Sequence, residues 1–197
     1  CSIEIPNSVT RIEGYAFSGC SSLSSITIPN RVTKIGQSAF KNCIRLSSVT
    51  ISDSVISVEY EAFDGCNIKE LIVAKGSKIV TGAMRVCNTL EKVVIPEGVI
   101  SIDGSAFRDC ESLRSINIPE GVVSIGDSAF GDCSSLSSIT IPSSVKSIGD
   151  SAFHKCSSLG SVIIPEGVTK IEPFTFYRCS SLKRVTLPNS ITVIGES

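Results

Sequence analysis

The chain has 197 residues, 42% of them hydrophobic and 19% charged, with a formal net charge of −1. That apolar content excludes a disordered chain, and the neutral balance leaves no basic footprint for nucleic acid or an anionic membrane surface. No window approaches the roughly 18 consecutive apolar residues of a membrane span.

The chain opens partway through a unit that then recurs along its whole length. Ser25-Ile26-Thr27-Ile28 alternates polar and apolar residues, the period of a strand with one buried face. Pro29 follows; proline has no N–H for a ladder, so the strand stops there. Val32 and Ile35 then belong to a short extended stretch with both apolar residues turned inward. Ile35, Ala39, Cys43 and Leu46 fall at steps of four, four and three, a helical stripe that predicts a turn or two of helix or 3₁₀ through Ala39-Phe40. Asp127 and Asp150, with Asp103 one place earlier, stand where N-caps of such segments would be useful.

The strand segment returns at Ser48–Ile51, Glu70–Val73, Lys92–Ile95, Ser115–Ile118, Ser138–Ile141, Ser161–Ile164 and Arg184–Leu187. Its cysteine returns at Cys20, Cys43, Cys66, Cys87, Cys110, Cys133, Cys156 and Cys179, every interval being 23 residues except the 21 between Cys66 and Cys87. A fixed period in the twenties is the mark of a solenoid, in which each coil packs only on its neighbours. One coil cannot bury enough surface to fold alone, so the coils must stack, pairing their strands into a parallel sheet. The 197 residues make one domain, 1–197, of about eight and a half repeats. At strand spacing this is a rod about 40 Å long, right-handed as other parallel crossovers are. Both ends fall inside a repeat, so the chain reads as a fragment of a longer protein. Without polar caps, exposed apolar end faces are expected around Ile3/Ile5 and Ile191/Ile194, with end-to-end self-association.

Eight of the nine cysteines occupy one position of the frame and form a column, which fits reduced thiols acting as small buried hydrophobes. Cys1 stands outside it, aligned with Ser24. Phe17, Phe40, Phe63, Phe107, Phe130, Phe153 and Phe176 form a second column, with Met84 substituting in the short coil. That coil loses one residue before Ile68 and another between Val73 and Ile79. Ala74 replaces its proline and Gly76 its valine, and Lys69, Lys75, Lys78, Arg85 and Lys92 cluster around it against Glu70 and Glu91.

Leu23-x2-Ile26-x-Ile28 resembles the strand motif of leucine-rich repeats, and the added IP-x2-V-x2-IG-x2-AF-x2-C pattern resembles the BspA-like members. It is cleanest at Ile125-Gly126-Asp127-Ser128-Ala129-Phe130 and covers essentially the whole chain. Ser52 in place of a proline and Thr175 in place of an alanine depart from it. The resemblance implies an α/β solenoid, a leucine-rich-repeat right-handed coil. One face carries the parallel sheet, and the other carries short extended, helical or 3-10 segments. Members are mostly large secreted or surface proteins of host-associated bacteria and some parasitic protists, several of them adhesive. It therefore implies a secreted or cell-surface module binding a protein or another cell-surface macromolecule. A structural spacer that holds another domain off the surface, or an intracellular protein-interaction scaffold, are the alternatives.

No enzyme is expected. The lone histidine, His154, sits in a variable position that reads as a solvated loop. There is no G-x-S-x-G elbow, phosphate-binding loop or H-E-x2-H. The cysteines lack zinc spacing and no calcium loop occurs, so no metal or cofactor is expected. What remains is surface. The outward strand positions are mostly Ser and Thr, good strand formers on a solvated face. Ile72 and Val94 interrupt them as an adjacent apolar pair, with Ile163 alone further on. Glu70 and Lys92 flank the pair with opposite charges that can meet across the ladder, and Lys69 stands beside them. An apolar spot rimmed by charge is the anatomy of a small interface centre, so the partner-binding candidates are Ile72, Val94, Glu70, Lys92 and Lys69.

Overall fold

The computed structural model describes residues 2–72, 78–79 and 83–196. Its strands in chain order are β1 (Ser2–Ile3), β2 (Arg11–Ile12), β3 (Ser25–Thr27), β4 (Lys34–Ile35), β5 (Ser48–Thr50), β6 (Ser57–Val58), β7 (Glu70–Ile72), β8 (Lys78–Ile79) and β9 (Lys92–Val94). They continue with β10 (Ser101–Ile102), β11 (Ser115–Asn117), β12 (Ser124–Ile125), β13 (Ser138–Thr140), β14 (Ser147–Ile148), β15 (Ser161–Ile163), β16 (Lys170–Ile171), β17 (Arg184–Thr186) and β18 (Val193–Ile194). Odd-numbered strands pair with odd and even with even, always parallel and always between equivalent positions of successive coils. Thus Ile26 lies opposite Val49, Ile116 opposite Ile139, and Ile125 opposite Ile148. The even strands β2 to β14 form one unbroken ladder. The odd column is hydrogen-bonded as β1-β3-β5, β7-β9-β11-β13 and β15-β17, with β7 beside β5 across the break. The chain is therefore a parallel-strand β-solenoid of about eight turns.

From β3 to β15 each three-residue odd strand has the pattern exposed, buried, exposed along Ser-Ile-Thr and its equivalents, as period-two alternation requires; in β17 the inward Val185 is only partly buried. The strand ends two residues before proline, and the chain turns there: the Val32 N–H donates to the Pro29 carbonyl at 3.0 Å. Where the turn reads Pro-Glu-Gly-Val, as at 119–122, Gly121 holds φ at 98°, a value that favours glycine in the third place of the turn. The Val32-x2-Ile35 stretch ends in the even strand β4, inward-facing at Ile35.

The third side corrects the expected helix. Among the described residues there is no helix, and the Ala-Phe segment is a run of tight turns. In one coil Ala39 donates back to Gly36, Lys41 to Ser38 and Cys43 to Phe40. The N–H groups in between, on Ser38, Phe40 and Asn42, donate sideways to Tyr60, Ala62 and Asp64 of the next coil. Ser38 (φ 52°) and Asn42 (φ 58°) are left-handed, and so are their equivalents Ser128 and Asp132 (φ 53° and 61°), which a right-handed helix cannot accommodate. The steps of four matched a helix in sequence, but ladder bonds between coils satisfy more N–H groups than one isolated helical turn would. The aspartates accordingly cap nothing. Asp127 Oδ1 accepts the Asp150 N–H at 3.0 Å, one coil on, and Asp103 accepts the Ser101 hydroxyl.

The core is continuous from coil to coil. Phenylalanine rings stack nearly parallel, as at Phe17–Phe40 (5.2 Å) and Phe130–Phe153 (5.6 Å), and Met84 is buried in the gap between Phe63 and Phe107. The described cysteines are all free, and the thiols have a role the sequence did not show. Cys133 Sγ donates to the Phe107 carbonyl at 3.2 Å, and the same bond recurs from Cys43 to Phe17, Cys66 to Phe40, Cys87 to Phe63 and Cys156 to Phe130. Burial pushes these thiols up, Cys87 and Cys133 well above their ordinary range, and it raises Cys179 to about 11. Cys20 is only half-buried.

The two departures from the repeat are compensated locally. Ser52, in the proline position, donates to the Pro29 carbonyl at 3.0 Å, and the buried Thr175 hydroxyl donates to Glu172 at 2.6 Å. Of the expected apolar end residues, Ile3, Ile5 and Ile191 are partly covered by the core, whereas Ile194 is 65% exposed. Cys1, the deletion between Val73 and Ile79, the Ala74 and Gly76 replacements and Lys75 lie outside the described residues.

Candidate interaction surface

The odd column presents its outward residues as a largely uncharged face. Ser25, Thr27, Ser48, Thr50, Ser138 and Thr140 all point to solvent. The exception is centred on β7 and β9. Their register places Glu70 opposite Lys92, Leu71 opposite Val93 and Ile72 opposite Val94. Leu71 and Val93 are buried, and that fixes the outward direction of their neighbours. Ile72 is 61% exposed and Val94 37%. Lys92 Nζ lies 2.8 Å from Glu70 Oε1, so the cross-strand pair forms as the sequence predicts. Both side chains are more than half exposed, and such a pair contributes little to stability; it fixes where charge stands on the face.

Lys69 is exposed one place before the strand, and its carbonyl accepts the Glu91 N–H at 2.8 Å; Arg114 in turn donates to Glu91 at 3.3 Å. Lys69, Glu91 and Arg114 therefore form a column of alternating sign beside the Glu70–Lys92 pair. All five candidate residues are thus brought onto one face. Ile163, 68% exposed, stands apart on β15 between Thr140 and Thr186.

A second apolar stripe escaped the sequence reading. Ile56, Ile100 and Val123 occupy the position just before the even strands and are exposed, Ile100 by 67%. The signal was available: this column reads Thr10, Thr33, Ile56, Ile100, Val123, Lys146, Thr169, Thr192, with the short coil's residue outside the described set. It lies beside the even strands, away from the alternating Ser-Ile-Thr segments. Ile100 and Val123 are neighbours, joined by a 2.7 Å backbone bond, but among the described residues none adjacent in sequence to either of them forms an ion pair like Glu70–Lys92.

The turn side carries ion pairs. Lys41 Nζ lies 2.6 Å from Glu61 and 3.0 Å from Asp64, and Arg85 reaches the Tyr60 hydroxyl at 3.0 Å. His154 is not the solvated loop residue expected. It is half-buried, stacks on Tyr177 at 5.4 Å and sets Nδ1 3.5 Å from Asp132 Oδ2. Burial raises the Asp132 carboxyl, but the Lys155 ammonium at 2.9 Å outweighs it and holds the group below its ordinary range. A groove of about 530 Å³ runs beside this cluster past Ser134, Ser157 and Ser180. The three hydroxyls donate to carbonyls of the preceding coil. No group of three metal-ligating side chains occurs among the described residues.

Comparison with known proteins decides the family. The model of the BspA type leucine rich repeat region matches in six copies over residues 1–90 and 77–197. The chain belongs to the BspA-type leucine-rich repeat family. A leucine-rich cell surface protein from Faecalibacterium prausnitzii shares its fold with a TM-score of 0.54 and 28% identity, over 92% of this chain and 64% of that one. The T. pallidum leucine-rich repeat protein is 27% identical over 94% of this chain and 67% of its own, with a TM-score of 0.49. The chain thus spans somewhat less than two thirds of the Faecalibacterium protein's length. A comparison with curated proteins finds no match.

Proposed function

We propose that this BspA-type chain is a non-catalytic, extracellular or cell-surface binding module of the adhesion type, and that its contact surface is the odd-strand face around Ile72 and Val94. The observation that carries the reading is the in-register Ile72–Val94 pair, exposed beside Glu70–Lys92 on a face made mostly of small hydroxyl residues. Apolar centre and polar rim are the parts of an interface hot spot. Small neighbours let a partner approach the backbone closely. The cell-surface description of the Faecalibacterium relative supports the location.

The test compares beads coated with the wild-type chain and beads coated with Ile72→Thr/Val94→Thr. The substitution keeps β-branched residues and removes only the apolar spot. Wild-type beads are expected to adhere to cells of the source organism or its neighbours and the variant beads to fall to the level of uncoated beads. Equal adhesion would remove the site from the account.

A further inference from the structure

The charged patch is complementary to itself. Along the ladder the charges alternate: Lys69, Glu91, Arg114 in one column and Glu70, Lys92 in the next, with Ile72 and Val94 beyond. Consider a two-fold axis parallel to the strands, running between β7 and β9 in the plane between two facing sheets. Rotation about it keeps strand direction and reverses the order of coils. Then β7 of one copy covers β9 of the other at matching positions. Glu70 meets Lys92 of the partner subunit, Ile72 meets Val94 of the partner subunit, and Lys69 comes to the same edge as Glu91 of the partner subunit. Each contact occurs twice, as an isologous interface demands. With the Glu70–Lys92 pair already formed within each chain, the four groups would make a ring of alternating charge.

The flanking coils permit the approach. The same operation places β5 over β11 and β3 over β13, so that Ser48 faces Ser115 and Thr27 faces Thr140. No like charges meet among the residues of these strands, and side chains this small allow sheet faces to close to about 10 Å. A partner of unrelated sequence has no reason to match an alternation that this chain already matches itself.

We propose that the partner of this face is a second copy of the same chain, joined face to face through β7 and β9. The proposal rests on the binding reading above and names its partner. Six strands at about 4.8 Å spacing and about 10 Å of strand length give a footprint of roughly 300 Å² per copy. That is well below the ~800 Å² per partner of a standard interface. The pairing is therefore weak in solution, visible near 0.1–1 mM by order of magnitude, and becomes effective where many copies are displayed on facing surfaces.

Charge reversal tests it in a way that does not require knowing any other ligand. In Glu70→Lys the two-fold contact puts two positive groups together, twice; in Lys92→Glu it puts two negative groups together, twice. Sedimentation equilibrium is expected to show a weak wild-type dimer and at least a tenfold loss of association for each variant alone. A mixture of the two variants puts opposite charges at every contact, and is expected to restore association as a one-to-one heterodimer. Circular dichroism of each variant confirms the fold. Strict wild-type monomer at 1 mM, or no recovery on mixing folded variants, overturns the proposal. Bead adhesion to cells lacking this protein separates it from the broader reading. A monomeric wild type that still adheres through Ile72 and Val94 refutes self-pairing and leaves the binding surface standing. Loss of both refutes both.

Discussion

The thiol column offers the sharpest test of how the coils are held together, and Cys133 at the centre of the stack is the place to make it. Its sulfur is fully buried and donates to the Phe107 carbonyl at 3.2 Å, a carbonyl that also accepts the Cys110 N–H at 3.2 Å. Cys133→Ala removes about one methyl-sized group, roughly 1 kcal/mol of transfer free energy. It also leaves a cavity of about 25 Å³, worth ~0.6 kcal/mol, and removes a weak donor worth about 0.5 kcal/mol. The expected loss is about 2 kcal/mol. Cys133→Ser restores a donor, and a better one, at the cost of some packing, so it should lose only about 1 kcal/mol. Urea unfolding followed by circular dichroism reads both as shifts in midpoint at constant slope. If the thiol were only a hydrophobic filler, a buried hydroxyl would be worse than a methyl. Serine less stable than alanine at this position would therefore refute the hydrogen-bonding role.

Ellman's reagent at pH 8 should react promptly with no more than Cys20 and Cys1 in the folded chain. Denaturation should release the other seven thiols; rapid native reaction at Cys110 or Cys133 would contradict their burial. The depressed Asp132 carboxyl stabilises the fold above the ordinary carboxylate range, near pH 4. That contribution is lost as pH falls through the lower folded value. Lys155→Met should weaken this dependence, so that acid titrations of wild type and variant diverge above the ordinary carboxylate range and converge in acid, once Asp132 is protonated in both. Parallel curves over the whole range would show that the pair is not coupled to folding.

Much of this molecule is legible in its sequence because a repeat states each packing rule eight times. The alternation at Ser25–Ile28 gave the strand and its buried face, the proline gave its end, and the Cys and Phe positions gave two buried columns. The third side misled because steps of four from Ile35 to Cys43 fit a helix. What decided otherwise was the left-handed backbone at Ser38 and Asn42 and the sideways bonds to the next coil, neither visible as a side-chain pattern. The candidate face was legible for a related reason. Fixed register turns equal sequence position into spatial adjacency, so the Glu70–Lys92 contact could be read before it was seen. The thiol-to-carbonyl bonds could not, because a buried cysteine column looks the same in sequence whether its sulfur donates or merely fills space.

The surface claim is tested most directly by comparing the two apolar patches. Ile72→Thr/Val94→Thr clears the odd-strand face; Ile56→Thr/Ile100→Thr/Val123→Thr clears the stripe beside the even strands, where Ile100 is more exposed than either Ile72 or Val94. Bead adhesion to intact cells is measured for both, with thermal midpoints as the control. Adhesion lost with the first variant and kept with the second is the predicted result. Adhesion kept with the first and lost with the second would place the contact surface on the other side of the solenoid.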